Sequence, residues 1–346
     1  MISRTAVYVA AARAIGAREP DPSVRNPDDV AAALLGDPAR LDVDHPVVDA
    51  LRLSYDEAMH SAEVATIVRS MLVRTRFIDE ALARAVADGA TQIAVLGAGF
   101  DSHAYRCAPL LAGTRVFEVD RPDMQAFKLQ RVREAFGGPP SNLTYVPIDF
   151  QHQDLADVLP RHGYDRARRT FFILEGVTMY VPEEGVRETF RFIASHPPGS
   201  SVVFDFVYRP MVDFLAKADW SIIPAAARAP YDRFRNLLKD EPWLFGFPVA
   251  GERRVLADLG FEIRELMMIG GEESMRRYGT KADGTQVGQQ ALAEAMARFA
   301  KAAKEAGASN PAFPKLTPEQ MREQQRVMSY QLADAVVPAR TAQQTL

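Results

Sequence analysis

The stretch Gln92-Ile-Ala-Val-Leu-Gly97-Ala98-Gly99-Phe100-Asp101 decides the fold of this 346-residue chain. Its apolar run is typical of a buried strand, and the run passes directly into a Gly-x-Gly turn. Glycines at 97 and 99 permit positive φ and let the backbone approach a ligand where a side chain would collide. The pattern predicts a strand, a ligand-binding turn and then a helix.

Strands and helices alternate on both sides of this stretch. We predict further strands at 115–119, 143–148, 170–174, 201–207, 261–269 and 328–337. We predict helices at 121–136, 151–159, 182–195, 252–259 and 291–306, with an interrupted helical segment at 211–240. Strands separated by helices of this length imply βαβ units, and therefore a mostly parallel sheet with right-handed crossovers.

A carboxylate ends the second strand about twenty residues after the glycines, in Glu118-Val119-Asp120. An acid at this point can accept both hydroxyls of a ribose, which predicts a ribose-bearing cofactor. A tight turn with only a structural role is the alternative. Dinucleotides and S-adenosylmethionine both use this βαβ opening, but the dinucleotide fingerprint has a third Gly or Ala where this chain has Ser102. The pattern therefore points away from pyrophosphate binding.

Asp149 and Phe150 end the third predicted strand. A carboxylate there can accept the exocyclic amine of adenine, and an aromatic ring can cover the face of the base. Asp149 also fits the N-cap of a helix that starts near Gln151, and the two roles are compatible.

Four ordered motifs carry a family resemblance that spans roughly residues 61–269. They are Val73-Arg74-Thr75-Arg76-Phe77-Ile78-Asp79, Leu96-Gly97-Ala98-Gly99-Phe100-Asp101, Glu118-Val119-Asp120-Arg121-Pro122 and Glu175-Gly176-Val177-Thr178-Met179-Tyr180. Together they resemble the leucine carboxyl methyltransferase family, and most of all its bacterial branch of small-molecule O-methyltransferases. The resemblance implies a class I methyltransferase: a Rossmann-like α/β fold with a seven-stranded, mostly parallel sheet and helices on both faces.

The resemblance also implies S-adenosylmethionine as the cofactor and S-adenosylhomocysteine as its product. It places Gly97 under the methionine part, Asp120 at the ribose, and Asp149 with Phe150 at the adenine, while Gly99 and Asp101 complete the binding loop. It gives the methionine carboxylate to Arg74, with Arg76 able to exchange roles, and it puts Glu175 near the sulfonium.

The chemistry of the transfer predicts few catalytic side chains. Methyl transfer needs in-line approach and exclusion of water, and an acceptor carboxylate is already ionised at neutral pH, so it needs no base. We expect Tyr180, after the fourth strand, to orient the acceptor. Arg276 or Arg277 could grip an acidic substrate with two parallel hydrogen bonds, and His103 could serve as the base for a hydroxyl acceptor.

Composition excludes several other classes of function. The net charge of −4 and the pI near 5.9 leave no basic excess for a nucleic-acid partner. No apolar run is long enough to span a membrane. One cysteine, Cys107, cannot form an intramolecular disulfide or a multi-thiolate zinc site, which fits a reducing cytoplasm. The possible metal-ligand side chains in 149–154 span a strand end and a first helical turn, where side chains point in different directions, so we expect no metal.

We expect a helical N-terminal arm at 1–60 that caps a cofactor-binding domain at 61–346. Helical insertions at about 211–250 and 286–320 would form a lid, with aromatic surface from Trp220, Tyr231, Phe234 and 243–247. The expected partner is a small-molecule acceptor, and a homodimer is compatible with the sequence. A protein C-terminal carboxyl methyltransferase, a nicotinamide oxidoreductase and a non-catalytic cofactor-binding module are the alternatives.

Overall fold

The computed structural model of the chain describes residues 2–150, 152–217, 225–305 and 317–339. Within these ranges seven strands form one sheet in the order β3-β2-β1-β4-β5-β7-β6. The strands are β1 (Gln92–Leu96), β2 (Arg115–Asp120), β3 (Leu143–Pro147), β4 (Thr170–Leu174), β5 (Ser201–Phe206), β6 (Glu262–Met268) and β7 (Gln331–Val336). The predicted class I methyltransferase sheet is therefore confirmed.

Strands β1 to β5 pair in parallel, whereas β7 runs antiparallel to both β5 and β6. The order reverses at β1, where the chain moves from the β2–β3 side to the β4 side. In open α/β sheets this switch point, at the edge where the parallel strands end, is where ligands bind. We call it the carboxyl edge.

Alternate residues of each central strand face opposite sides of the sheet. Ile93 and Val95 pack in one apolar core with Phe77 of the long helix Ala62–Ala87, whereas Ala94 and Leu96 pack in a second core on the other face. Helices therefore cover both faces, as predicted.

The helices have the following bounds. They are α1 (Arg4–Gly16), α2 (Ala31–Leu35), α3 (Pro46–Asp49), α4 (Tyr55–Met59), α5 (Ala62–Ala87), α6 (His103–Arg106), α7 (Pro122–Phe136), α8 (Leu155–Arg161), α9 (Glu183–Ala194), α10 (Arg209–Lys217), α11 (Ala225–Leu237), α12 (Glu252–Asp258), α13 (Glu272–Ser274), α14 (Gln289–Glu305) and α15 (Pro318–Val327). One π-helical turn, Met275–Gly279, follows α13.

The N-terminal helices share an apolar core with α5 and α7, and Phe100 of the glycine turn lies in that core. Helix α1 is buried along most of its length and lies beside the turn, because a Cβ placed on Gly99 would be 3.7 Å from Ala6 Cβ. The N-terminal arm thus covers one end of the carboxyl edge. The division at residue 60 stays a prediction.

Several predicted boundaries differ from the structure. The helix expected at 151–159 begins at Leu155, because the Asp149 carbonyl accepts the backbone N–H groups of His152 and Gln153 in a turn, and Asp154 precedes the helix. The N-cap role for Asp149 is therefore wrong. Trp220 of the expected lid and Gln151 lie outside the described residues, as does the last residue of the helix expected at 291–306.

Candidate active site

The turn after β1 is held against the end of β2. The backbone N–H groups of Gly97 and Ala98 both donate to the Val119 carbonyl, at 2.8 and 3.1 Å. Gly97 has φ +72° and Gly99 φ +47°, and a Cβ on Gly97 would come within 2.7 Å of Val177 Cγ2. Glycine is therefore required at position 97 both by the positive φ of the backbone and by the close packing of Val177, three residues after the end of β4.

Asp120 closes this turn from the end of β2. Its Oδ2 accepts the Gly99 N–H at 2.6 Å, and its Oδ1 accepts the Arg121 N–H at 2.7 Å. Burial raises the pKa of Asp120, and these two backbone hydrogen bonds oppose that shift. Each carboxylate oxygen can accept a further hydrogen bond, so the acid can hold the turn and still receive a ligand hydroxyl.

The end of β3 lies next to Asp120. The Ile148 N–H donates to the Asp120 carbonyl at 2.9 Å, and this bond brings the following residues alongside. Asp149 and Phe150 are both exposed, with half of the Phe150 surface open. Asp149 Oδ2 contacts His152 Nδ1 at 2.8 Å. An aromatic ring this exposed at the carboxyl edge is available to stack on a planar ligand.

Arg74 of α5 forms the centre of a buried ion cluster beneath the ends of β4 and β5. Its guanidinium contacts Glu175 Oε1 at 2.6 Å and Asp205 Oδ2 at 2.9 Å. Asp205 Oδ1 also accepts the Gly176 N–H at 2.6 Å. Arg13 of α1 approaches the same Glu175 oxygen at 3.2 Å.

Arg13 connects this ion cluster to the glycine turn. Its Nη2 donates to the Phe100 carbonyl at 2.8 Å, and its Nε contacts Asp28 Oδ2 at 3.0 Å. Burial alone would raise the pKa of Glu175, but Arg74 and Arg13 lower it below its usual value. Burial keeps the pKa of Asp205 raised despite Arg74. Glu175 is therefore ionised at neutral pH, beside the turn.

His103 lies directly behind the turn and is only 2% exposed. Its Nδ1 is 2.6 Å from Asp101 Oδ2, and its Nε2 is 3.2 Å from Asp79 Oδ1. A ring that is buried and enclosed by two carboxylates has no access to an acceptor. The structure therefore contradicts the predicted role of His103 as a general base.

Tyr180 lies in an aromatic wall next to the ion cluster, where it is near Asp205. We use this name for Tyr180, Phe234, Trp243 and Tyr330. The Trp243 ring centroid is 6.5 Å from that of Tyr180, 5.7 Å from Phe234 and 5.4 Å from Tyr330. Burial raises the pKa of Tyr180 to about 12, although the neighbouring Trp243 and Thr5 side chains oppose the shift. The Tyr180 hydroxyl therefore stays protonated and can donate.

The N-terminus of α1 is tied to this wall. Ser3 Oγ and Thr5 Oγ1 donate to Glu241 Oε2 at 2.9 and 2.6 Å. The Leu244 N–H donates to the Met179 carbonyl at 2.7 Å, which joins the segment after Glu241 to the turn that carries Tyr180. The first turn of α1 thus contacts both the glycine turn, through Ala6, and the segment that leads to the aromatic wall, through Thr5.

Three predicted arginines lie outside this site. Arg76 donates to the carbonyls of Pro22 and Arg25, at 3.1 and 2.9 Å, so it cannot exchange roles with Arg74. Arg276 is exposed and forms two hydrogen bonds with Glu273. Arg277 pairs with Glu80 and Glu265. The structure therefore assigns these three guanidinium groups to contacts within the protein.

Sequence reasoning missed four residues that build the site: Arg13, Asp205, Tyr330 and Tyr8, which is buried in α1 near Tyr180 and Tyr330. Asp205 had a signal, because it is a single acid inside an otherwise apolar strand near its carboxyl end. Arg13 interrupts a run of alanines in α1, which marks a charge on a buried helix. Tyr8 and Tyr330 carry no local pattern that distinguishes them from core tyrosines.

Other features of the described residues contribute nothing to this site. A surface cleft of about 690 Å³ opens between α4 and the segment 281–294. The cleft lies on the side of α5 where Leu72 packs with Val287. Arg74, two residues later on the same helix, faces the sheet and pairs with Asp205. No three His, Cys, Asp or Glu side chains of the described residues are grouped as a metal site would require. Among the same residues, every helix is too short or too polar to cross a bilayer.

Comparison with known proteins identifies the family. The leucine carboxyl methyltransferase family model matches residues 6–194. A protein of Mycolicibacterium gilvum named "Putative S-adenosyl-L-methionine-dependent methyltransferase" is 34% identical over 215 residues, which cover 62% of this chain and 68% of that protein. A similarly named protein of Mycolicibacterium smegmatis is 30% identical over 276 residues, and the aligned region covers 77% of this chain and 90% of that protein.

Solved structures of low identity also align with the chain. A DUF574 family protein from Streptomyces avermitilis has a TM-score of 0.47 at 14% identity, covering 86% of this chain and 93% of that one. Magnesium protoporphyrin IX methyltransferase from Synechocystis, with bound S-adenosylhomocysteine, has a TM-score of 0.40 at 16% identity, covering 78% and 86%.

The sheet order, the glycine turn with its acid and the family match together define a class I methyltransferase that uses S-adenosylmethionine. The chain belongs to the leucine carboxyl methyltransferase family. The residues at the carboxyl edge fit this cofactor. The turn is free of side chains at Gly97 and Gly99, Asp120 has acceptor capacity left, and the ring of Phe150 is uncovered.

Proposed function

We propose that the protein transfers a methyl group from S-adenosylmethionine to an oxygen atom of a small molecule, either a carboxylate or a phenol or other hydroxyl. The observation that carries the proposal is the aromatic wall beside the ion cluster, where Tyr330 lies near Arg74 and Asp205 and Tyr180 lies near Asp205. One carboxyl edge thus offers a cofactor cradle and, next to it, an apolar surface with tyrosine hydroxyls.

In this proposal Asp120 holds the ribose, Asp149 and Phe150 hold the adenine, and the turn at Gly97, Gly99 and Asp101 lies under the methionine part. Arg74 keeps Glu175 ionised at the end of β4 and contributes to binding the methionine carboxylate. When bound, S-adenosylmethionine supplies an electrophilic methyl group whose bond to sulfur breaks as the bond to the acceptor oxygen forms.

The protein's own contribution is positioning and exclusion of water. The protonated Tyr180 hydroxyl donates to the acceptor and orients it, and the rings of Trp243 and Phe234 pack on its apolar part. A carboxylate acceptor needs no base. A hydroxyl acceptor must lose its proton, and His103 does not serve that step because two carboxylates enclose it.

A protein C-terminus is a less suitable acceptor. The first turn of helix α1 lies at the carboxyl edge, with Ala6 beside Gly99 and Thr5 bonded to Glu241, and Arg13 farther along the helix donates to the Phe100 carbonyl. A peptide chain would need an open groove at this position. The covered edge therefore favours a small acceptor, in a cytoplasmic enzyme for which the homodimer stays a prediction.

The test starts with calorimetric titration of the purified protein with S-adenosylmethionine and S-adenosylhomocysteine. We expect binding by the wild type and a loss of about 100-fold or more in Asp120→Ala, because both the closure of the turn and the ribose contact are removed. Asp258→Ala, an aspartate on α12 whose side chain is 69% exposed, is the matched control. Unchanged binding in Asp120→Ala would reject this cofactor site.

Acceptors are then screened with methyl-labelled cofactor against small carboxylates, phenols and a set of C-terminal peptides. Mild alkali releases methanol from a methyl ester and leaves a methyl ether intact, so the labelled product distinguishes the two oxygen acceptors. Label only on nitrogen or sulfur, or only on peptides, would contradict the proposal.

A further inference from the structure

His103 joins two separate elements behind the glycine turn. Asp101 follows the turn directly, with its N–H donating to the Ala98 carbonyl at 2.6 Å and its Oδ1 accepting the His103 N–H at 3.0 Å. Asp79 belongs to α5, on the opposite side of the imidazole ring. Among the contacts of the described residues, the His103 ring is the only group that contacts both Asp101 and Asp79.

Arg106 supports the same arrangement from α6. Its two terminal nitrogens donate to both oxygens of Asp79, at 2.7 and 2.5 Å, and its Nε donates to Ser102 Oγ at 2.9 Å. On the other side of the turn, Arg13 holds the Phe100 carbonyl. The residues that follow Gly99 are therefore fixed from α1 on one side and from α5 on the other.

The charge on His103 decides whether it can join the two carboxylates. A neutral imidazole has one N–H donor, whereas the imidazolium also carries a charge that attracts both carboxylates: Nδ1 of His103 is hydrogen-bonded to Asp101, and Nε2 lies within ion-pair distance of Asp79. The groups that face the ring are Asp101 on its own loop, Asp79 of α5, Arg106 of α6 and Glu175 after β4, and Lys128 of α7 acts on Asp101. The three carboxylates favour the cationic form of the ring, and the guanidinium of Arg106 opposes it.

We propose that His103 is a positioning residue that, as a cation, fixes the cofactor-binding turn to α5 through Asp101 and Asp79. The proposal rests on the proposed function only for its effect on the cofactor, because the effect on the turn itself is measurable in the unliganded protein. His103 touches neither cofactor nor acceptor in this role.

The pH dependence follows from the geometry. Burial alone would lower the pKa of His103, but Asp101 and Asp79, against Arg106, raise it to about 9. The folded protein therefore holds a proton that the unfolded chain releases near pH 6.5. The stabilisation is complete below about pH 6.5 and is lost as the pH rises through about 9. Cofactor affinity should fall over the same upper range.

The first experiment reads the protonation state in the wild type. Nitrogen-15 NMR of histidine-labelled protein follows both ring nitrogens from pH 5 to 10, with His103→Gln identifying the resonance. We expect the signals of a cation up to pH 8 and a midpoint near 9. A midpoint at or below pH 6.5 would overturn the proposal, whatever the acceptor or cofactor of the enzyme proves to be.

The second experiment compares variants by calorimetric titration with S-adenosylhomocysteine, which is neutral at sulfur and stable in alkali. At pH 7.5 we expect the Kd of His103→Gln to rise about tenfold and that of His103→Arg, which keeps the cation, to stay within about threefold of the wild type. His60→Gln, an exposed histidine on the surface, is the control for the loss of an imidazole.

The decisive comparison is the ratio of Kd between pH 9.5 and pH 7.5. Titration of the cofactor's own amino group affects all variants equally and cancels in this comparison. Between pH 7.5 and pH 9.5 the wild type should lose about fivefold more affinity than His103→Arg, because only the wild type loses the cation at this position. Equal ratios would overturn the proposal. If His103→Arg does not fold, Asp79→Asn replaces it, since removing one carboxylate must lower the midpoint of the histidine NMR titration; an unchanged midpoint contradicts the proposal.

Discussion

The two halves of the carboxyl edge are built in different ways. The cofactor half joins groups that are close in sequence: Asp120 binds the Gly99 N–H only 21 residues away, and Asp101 binds His103 within its own loop. The proposed acceptor half, which comprises the aromatic wall and the N-terminus of α1, joins distant segments, because Thr5 reaches Glu241 across 236 residues and Trp243 packs on Tyr330.

This difference explains how one fold can keep its cofactor and change its substrate. The cofactor half depends on backbone geometry and buried charges, which tolerate few substitutions. The acceptor half is formed by side chains from α1, α11, the segment after Glu241 and the turn before β7, none of which carries the sheet's central pairing. Changes there alter the pocket and leave the sheet intact.

The ion cluster between the halves should give the largest effect. Arg74→Met leaves Glu175 and Asp205 buried without their shared cation, and breaking a buried pair in this way costs about 3–5 kcal/mol. Urea unfolding at pH 7.5 measures the change. Arg76→Met, which loses only hydrogen bonds to backbone carbonyls, is the control and should cost about 1 kcal/mol or less. Equal losses in the two variants would show that the cluster is not the link between the halves.

The same pair of arginines shows what could be predicted from sequence. Arg74 shares the helical phase of Met71 and Ile78, which are buried, whereas Arg76 lies about 200° away around the helix. The hydrophobic periodicity thus contains the distinction, although the family resemblance makes the two residues interchangeable. Helix α15 also had a local signal, since Thr317 and Gln320 form a capping box that the structure confirms.

Other features had no local signal. The antiparallel direction of β7 between β5 and β6 depends on long-range pairing, which the composition of a short strand does not encode. The contact of Arg13 with Glu175 spans 162 residues. The strands and the glycine turn were predictable because periodicity and φ requirements are local; the ion cluster and the aromatic wall were not, because they exist only after the chain has folded.

Tyr180→Phe tests whether the aromatic wall acts on the acceptor alone. A hydrogen bond to a charged acceptor contributes about 1.5–3 kcal/mol, so we expect kcat/KM for a carboxylate acceptor to fall about tenfold or more, with the Kd of S-adenosylhomocysteine changed less than about twofold. Tyr105→Phe is the control, because it removes a hydroxyl bonded to Tyr145 at 2.6 Å on the cofactor side. A matching rise in the cofactor Kd would mean that Tyr180 belongs to the cofactor half.

Phe150→Ala should give the smallest effect, confined to the cofactor half. Its ring is 50% exposed, so its removal leaves no cavity and the free energy of unfolding should stay within about 0.5 kcal/mol of the wild type. Stacking on adenine is worth about 1 kcal/mol, which predicts a rise of about fivefold in the Kd of S-adenosylhomocysteine. Phe136→Ala, another aromatic residue with 39% exposure, should leave that Kd unchanged. If both variants bind equally well, the adenine lies elsewhere, and the cofactor half would end at Asp120 rather than extend to β3.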